Sequence, residues 1–167
     1  MADKYLKNDS GSMKEVEGLT SSSGAGDAGK IPALDSGGKL NSNMMPTGIA
    51  ADTASVAASE DLAAGDFVNI YDDSGAKCRK ADATTNGKEA HGFVIASVTS
   101  GSNATVYFEG SNDQVTGLTP GMQFLSTTAG VCTATAPSSS GNVVQKVGIA
   151  TAAASMNFEA GNPIELV

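Results

Sequence analysis

The sequence predicts an all-β fold: a compact β domain over residues 51–167, preceded by an extended Gly/Ser-rich N-terminal arm over residues 1–50. Three observations lead there. Short runs of β-branched and aromatic residues recur after residue 50, each bounded by Gly, Asn, Asp or Pro. No stretch sustains the 3.6-residue apolar spacing of an amphipathic helix. One pattern of residues also occurs twice in the same order, as in a duplicated unit.

The arm comes first. Residues 1–50 hold only one aromatic residue, Tyr5, and Ser21-Ser22-Ser23-Gly24-Ala25-Gly26 and Ser36-Gly37-Gly38 have flexible-linker composition. A segment so poor in large apolar groups cannot by itself offset a backbone ordering cost of about 1–2 kcal/mol per residue. It does carry a sparse apolar series: Ile31, Pro32, Leu34, Leu40, Met44, Met45 and Pro46. The expectation is an arm that becomes ordered by laying these side chains on another chain.

The domain follows. Strand composition appears at Phe67–Tyr71, Ala76–Lys80, Phe93–Val98, Thr105–Phe108, Phe124–Ser126, Val131–Thr135, Val143–Ile149 and Met156–Phe158. Asp72-Asp73-Ser74-Gly75 reads as a hairpin turn, and Ala57–Ala64 and Ala150–Ala154 as one helical turn each at most. The repeat aligns Leu62, Gly65, Gly75, Cys78, Gly87, Ile95, Ala96, Phe108 and Glu109 with Leu118, Gly121, Gly130, Cys132, Gly141, Ile149, Ala150, Phe158 and Glu159. Two units, about 62–110 and 118–161, are each too small to fold alone and must share a core. Eight strands in a compact β-barrel or jelly-roll-like domain are expected, an arrangement that also protects strand edges.

Composition sets limits on function. The net charge of −8 argues against a phosphate-binding surface, because nucleic-acid affinity rests on Lys and Arg. No apolar run approaches the length of a membrane span, and Met1-Ala2-Asp3-Lys4 lacks the apolar stretch of a signal peptide. One Arg and one His leave little for catalysis, and no enzyme, cofactor or metal site is expected. Gly24-Ala25-Gly26-Asp27-Ala28-Gly29-Lys30 satisfies the first part of a phosphate-loop pattern, but Ile31 stands where a hydroxyl should bind magnesium and Pro32 blocks a following helix. His91 has no second ligand at metal spacing and reads as a polar residue at a strand end. Asp72-Asp73 lacks the alternating oxygens of a calcium loop. Cys78 and Cys132, at equivalent repeat positions, read as small buried fillers; they would pair only if the internal axis passed between them. Lys77, Arg79 and Lys80 form a basic cluster, either a solvated strand face or a contact for an acidic surface.

The segment Gly29-Lys30-Ile31-Pro32-Ala33-Leu34-Asp35-Ser36-Gly37-Gly38-Lys39-Leu40, followed by Met45-Pro46, resembles a fibre-like connector of tailed-bacteriophage structural proteins. Lys80-Ala81-Asp82-Ala83, Glu89-Ala90-His91-Gly92-Phe93-Val94, Val106-Tyr107-Phe108-Glu109-Gly110, Leu118–Ser126 and the segment 136–145 are similar to the phage head decoration (cement) protein family and related fibre modules. This resemblance implies a protein made in the host cytoplasm that ends on the outer surface of the capsid in the virion. There it would stabilise contacts between major capsid protein subunits, with Ile31, Pro32, Leu34, Leu40, Met44, Met45 and Pro46 as capsid-binding residues of the arm. It also implies homo-oligomerisation, a trimer slightly ahead of a dimer. The alternative is a head-fibre or tail-tip module that binds a host surface receptor. Stacking sites for sugars are disfavoured by the absence of Trp and the presence of only 3 Tyr.

Overall fold

A computed structural model of the chain describes residues 4–45 and 51–167. The chain divides into two compact units, Met1–Ala50 and Ala51–Val167. Both are β structures with short turns, and no α-helix occurs among the described residues.

The N-terminal unit begins with a hairpin that its polar sequence did not announce. Strands β1 (Lys4–Asp9) and β2 (Ser12–Glu17) pair antiparallel, with Asp9 opposite Ser12. The two-residue loop has positive φ at both positions, 55° at Ser10 and 90° at Gly11. That is the primed turn geometry whose twist matches the flanking strands, which explains a hairpin without a continuous apolar face. Beyond it, the chain doubles back so that the Leu19 N–H donates to the Ile31 carbonyl (3.0 Å) and the Ala33 N–H to the Leu19 carbonyl (2.7 Å). Polar side chains hold the turns. Asn43 grips the Ser22 backbone in both directions, accepting from its N–H at 3.1 Å and donating to its carbonyl at 2.8 Å. The Asp35 carboxylate accepts from the Gly37 and Lys39 N–H groups. The arm is therefore a hairpin followed by stapled turns, rather than extended throughout. Among its described residues only Gly18 is buried.

The C-terminal unit contains twelve strands: β3 (Thr53–Ala58), β4 (Phe67–Asp72), β5 (Ala76–Lys80), β6 (Gly92–Phe93), β7 (Asn103–Tyr107), β8 (Gly110–Asn112), β9 (Gly121–Leu125), β10 (Cys132–Thr133), β11 (Val143–Val144), β12 (Lys146–Ala152), β13 (Ser155–Phe158) and β14 (Ile164–Glu165). Strands β3 to β7 close into a five-stranded barrel of order β3-β5-β4-β6-β7, antiparallel except where β3 meets β5. The second half forms an open sheet of order β10-β9-β12-β13-β8, while β11 pairs with β14. Substituting β8, β9, β10, β12 and β13 for β3 to β7 turns one strand order into the other. The difference is that no ladder joins β8 to β10 as β3 joins β5.

The all-β class holds, but the strands are distributed between a barrel and a sheet instead of one eight-stranded barrel or jelly roll. The reason lies in residues 53–58, where Val56 and Ala58 point inward. The Ala/Ser-rich stretch expected to start a helical turn at Ala57 is instead the end of the strand that closes the first barrel. Ala150 to Ala152 likewise continue β12, and the run from Phe93 joins its ladder only through Phe93.

Two apolar clusters result. One fills the barrel with Val56, Leu62, Val68, Cys78, Val94 and Val106. The other lies between the halves, with Phe67, Ala81, Ala90 and Phe93 from the first and Leu125, Val147, Met156 and Phe158 from the second. Phe158 meets Phe67 and Phe93 with ring centroids 5.8 and 5.5 Å apart. Burying each such ring contributes about 1.5–3 kcal/mol. Gln145 staples the halves where apolar packing ends: its Oε1 accepts from the Ala90 N–H (2.8 Å) and its Nε2 donates to the Ala90 carbonyl (2.9 Å).

Candidate interaction surface

The apolar residues singled out in the arm are held in the open by local backbone geometry. The Leu19 bridge fixes residues 31–33 in an extended run, so successive side chains point to alternate sides. Ile31 is 51% and Leu34 61% exposed. Pro32, Leu40 and Met45 are also exposed and Met44 is half-buried. Pro46 lies outside the described residues.

Ile31, Pro32 and Leu34 come together with Tyr5 and Thr20 along a groove of about 730 Å³ between the hairpin and the extended run. The Tyr5 hydroxyl is buried without a hydrogen-bond partner among the described residues. Pro32 and Met44 share a smaller recess of about 270 Å³ with Leu19 and Asn43. Leu40 and Met45 line neither. Two further exposed apolar residues of this unit, Leu6 (68%) and Met13 (62%), escaped the sequence reading because each is isolated in a polar run and followed directly by a lysine. In the C-terminal unit, Met122 and Ile149 stand opposite each other in the β9–β12 ladder, both exposed. Their alternation with buried Gln123 and Ala150 was the available signal.

The polar candidates are committed within the fold. Asp27 accepts from Lys30 Nζ (2.8 Å), the Ser23 N–H (2.7 Å) and the Ser23 hydroxyl (2.9 Å), and these bonds hold its pKa well below the usual carboxylate range. The phosphate-loop-like segment thus places its own carboxylate on the lysine. His91 accepts the Ile70 N–H at Nδ1 (3.0 Å), completing a strand end. In the basic cluster, Lys77 pairs with Asp73 (2.7 Å) and Lys80 with Asp66 (3.5 Å). Arg79 donates to Asn69 and the Gly87 carbonyl and lies 4.3 Å from the Tyr71 ring centroid. Asp72 and Asp73 serve the hairpin turn, Asp72 accepting the Gly75 N–H. Both cysteines are free thiols in different clusters; burial raises the pKa of each, that of Cys132 to about 11. No group of three His, Cys, Asp or Glu side chains fit to hold a metal occurs among the described residues, and no helix there is long and apolar enough to cross a membrane.

No protein family, curated protein or solved structure matches the chain.

Proposed function

We propose that this is a capsid decoration protein, binding the outer surface of an assembled phage head and stabilising contacts between major capsid protein subunits. The observation that carries the reading is the N-terminal unit's imbalance: a defined backbone, an exposed series at Ile31, Leu34, Leu40 and Met45, and no buried apolar residue with a side chain of its own among its described residues. Such a unit gains its missing apolar burial from a partner. The resemblance over residues 29–167, first to a fibre-like phage connector and from Lys80 on to cement proteins and related fibre modules, supplies the virion setting. A protein that binds the assembled shell and not free subunits stabilises that shell by mass action. On the same reading the two halves of the C-terminal unit are copies of one duplicated five-stranded unit sharing a core, and the matching strand orders support this.

The test is co-sedimentation with heads assembled without the protein. Combined replacement of Leu34, Leu40, Met44 and Met45 by Ser releases the chain from heads and leaves the melting temperature of the C-terminal unit unchanged. Undiminished binding by the variant overturns the reading. Copy number separates the fibre alternative, hundreds per particle for decoration against a few to tens for a fibre.

A further inference from the structure

Strand β1 pairs only with β2 among the described strands, so its other edge presents unpaired N–H and C=O groups, a template for another strand. Charge limits what that strand can be. Residues 4–45 carry five Lys and five Asp or Glu, a net charge of zero, whereas residues 51–167 carry five basic and twelve acidic residues, 5 − 12 = −7. Two copies meeting through their C-terminal units bring like charge together; through their hairpins they do not.

Register narrows the choice further. Two antiparallel strands related by a twofold axis keep their faces, so a residue can stand opposite only one of matching parity in the other copy. On β2 the two central registers set Lys14 against Lys14 or Glu15 against Glu15, like charges directly opposed. On β1 the register centred on Leu6 opposes Leu6 to Leu6, Tyr5 to Lys7 and Lys4 to Asn8, with no like charges facing among these central pairs. Leu6 and Met13, diagonal neighbours on one face of the hairpin, are the two most exposed apolar side chains among the described residues of this unit. In the paired arrangement Leu6 of each copy covers the other, flanked on both sides by Met13.

We propose that the chain forms a twofold dimer by antiparallel pairing of β1 with β1 of a second copy, giving a continuous four-stranded sheet with Leu6 on the axis. This does not rest on the capsid reading. Where the resemblance favours three copies, the register of this hairpin favours two.

The test uses the full chain. Sedimentation velocity of the unmodified protein gives a dimer, and Leu6→Lys, which sets two ammonium groups across the axis at a position exposed in the single chain, weakens it at least tenfold without altering the thermal unfolding of the C-terminal unit. Leu6→Cys forms a covalent dimer on mild oxidation. Met13→Cys does not, because two β2 strands separated by three strand spacings are about 14 Å apart. The unmodified chain, with Cys78 buried and Cys132 half-buried, is the background. A monomer or trimer by sedimentation, a Leu6→Lys variant that remains dimeric, or equal cross-linking at positions 6 and 13 overturns the proposal. Head binding is read separately: a monomer that co-sediments with heads sinks the dimer and leaves the decoration reading standing, and a dimer that fails to co-sediment does the reverse.

Discussion

Asp82 shows how this acidic chain uses single carboxylates as local organisers. It lies just past β5, almost fully buried, with the loop to Lys88 wrapped around it. Its Oδ1 accepts the Thr84 N–H (3.0 Å) and the Thr84 hydroxyl, and its Oδ2 receives the Lys88 ammonium (3.1 Å). Burial acts to raise its pKa, but the two Thr84 bonds and the Lys88 contact together outweigh burial and hold it below the ordinary carboxylate value. The folded pKa is thus depressed relative to the unfolded one, near 3.9. The stability contributed is complete above that unfolded value and is lost as pH falls through the folded pKa. Urea unfolding at pH 7 and pH 3 checks this. The native protein loses stability between the two, and Asp82→Asn is destabilised by about 1 kcal/mol at pH 7 with a smaller difference between the two pH values. An unchanged pH dependence would remove Asp82 from the acid response.

At the scale of elements, β12 is the strand most tightly constrained by its neighbours. Gly148 sits in it with φ of +147°, at the register irregularity between Lys146 and Gly148 against β9. A Cβ there would lie 2.1 Å from the Asn157 carbonyl oxygen on β13 and 2.8 Å from Met156 Cε. Backbone on a paired strand cannot withdraw without breaking its ladder. Gly148→Ala therefore costs at least about 3 kcal/mol, whereas Gly87→Ala, also at positive φ but facing open space, costs about 1 kcal/mol. Thermal denaturation of the two variants side by side reads the difference. The elements differ in how far the sequence discloses them. Strands β4, β9 and β13 combine aromatic or branched residues with turn residues at their ends, so composition locates them, whereas β5, with neither, is marked only by the Asp72–Gly75 turn before it. Strand β3 is built from Thr, Ala, Ser and a single Val, small residues that suit the crowded barrel wall but carry no strand signature. Strands β1 and β2 arise from the Ser10-Gly11 turn geometry and not from an apolar pattern. For the same reason Ile31 and Leu34 were legible as isolated apolar residues in a Gly/Ser background, while Leu6 and Met13 were hidden in polar runs. The charged and polar candidates show the reverse: Lys77, Lys80, Arg79 and Asp27 are conspicuous in the sequence, but only the folded geometry reveals that their partners lie within their own unit.

At the scale of the whole C-terminal unit, the two halves share a strand order but not self-sufficiency. The first half has a private core of Val56, Leu62, Val68, Val94 and Val106 inside its closed barrel. The second has none: Leu125, Val147, Met156 and Phe158 all belong to the cluster it shares with Phe67 and Phe93. Its polar anchors also reach across, with Gln145 on Ala90 and the Asn112 Nδ2 donating to the Gly65 carbonyl at 3.0 Å. Removing the first half strips that cluster of its partners and leaves an open sheet of under 60 residues, below the size at which a single apolar core is dependable. The fragment 110–167 accordingly shows no cooperative melting. The fragment 51–167 unfolds in one transition that coincides by near-ultraviolet and far-ultraviolet circular dichroism, because the shared cluster couples barrel and sheet. Two separate transitions in 51–167, or a cooperative melt of 110–167 alone, would mean that the sheet carries a core of its own and that the Phe67–Phe93–Phe158 contact is a docking surface between finished domains.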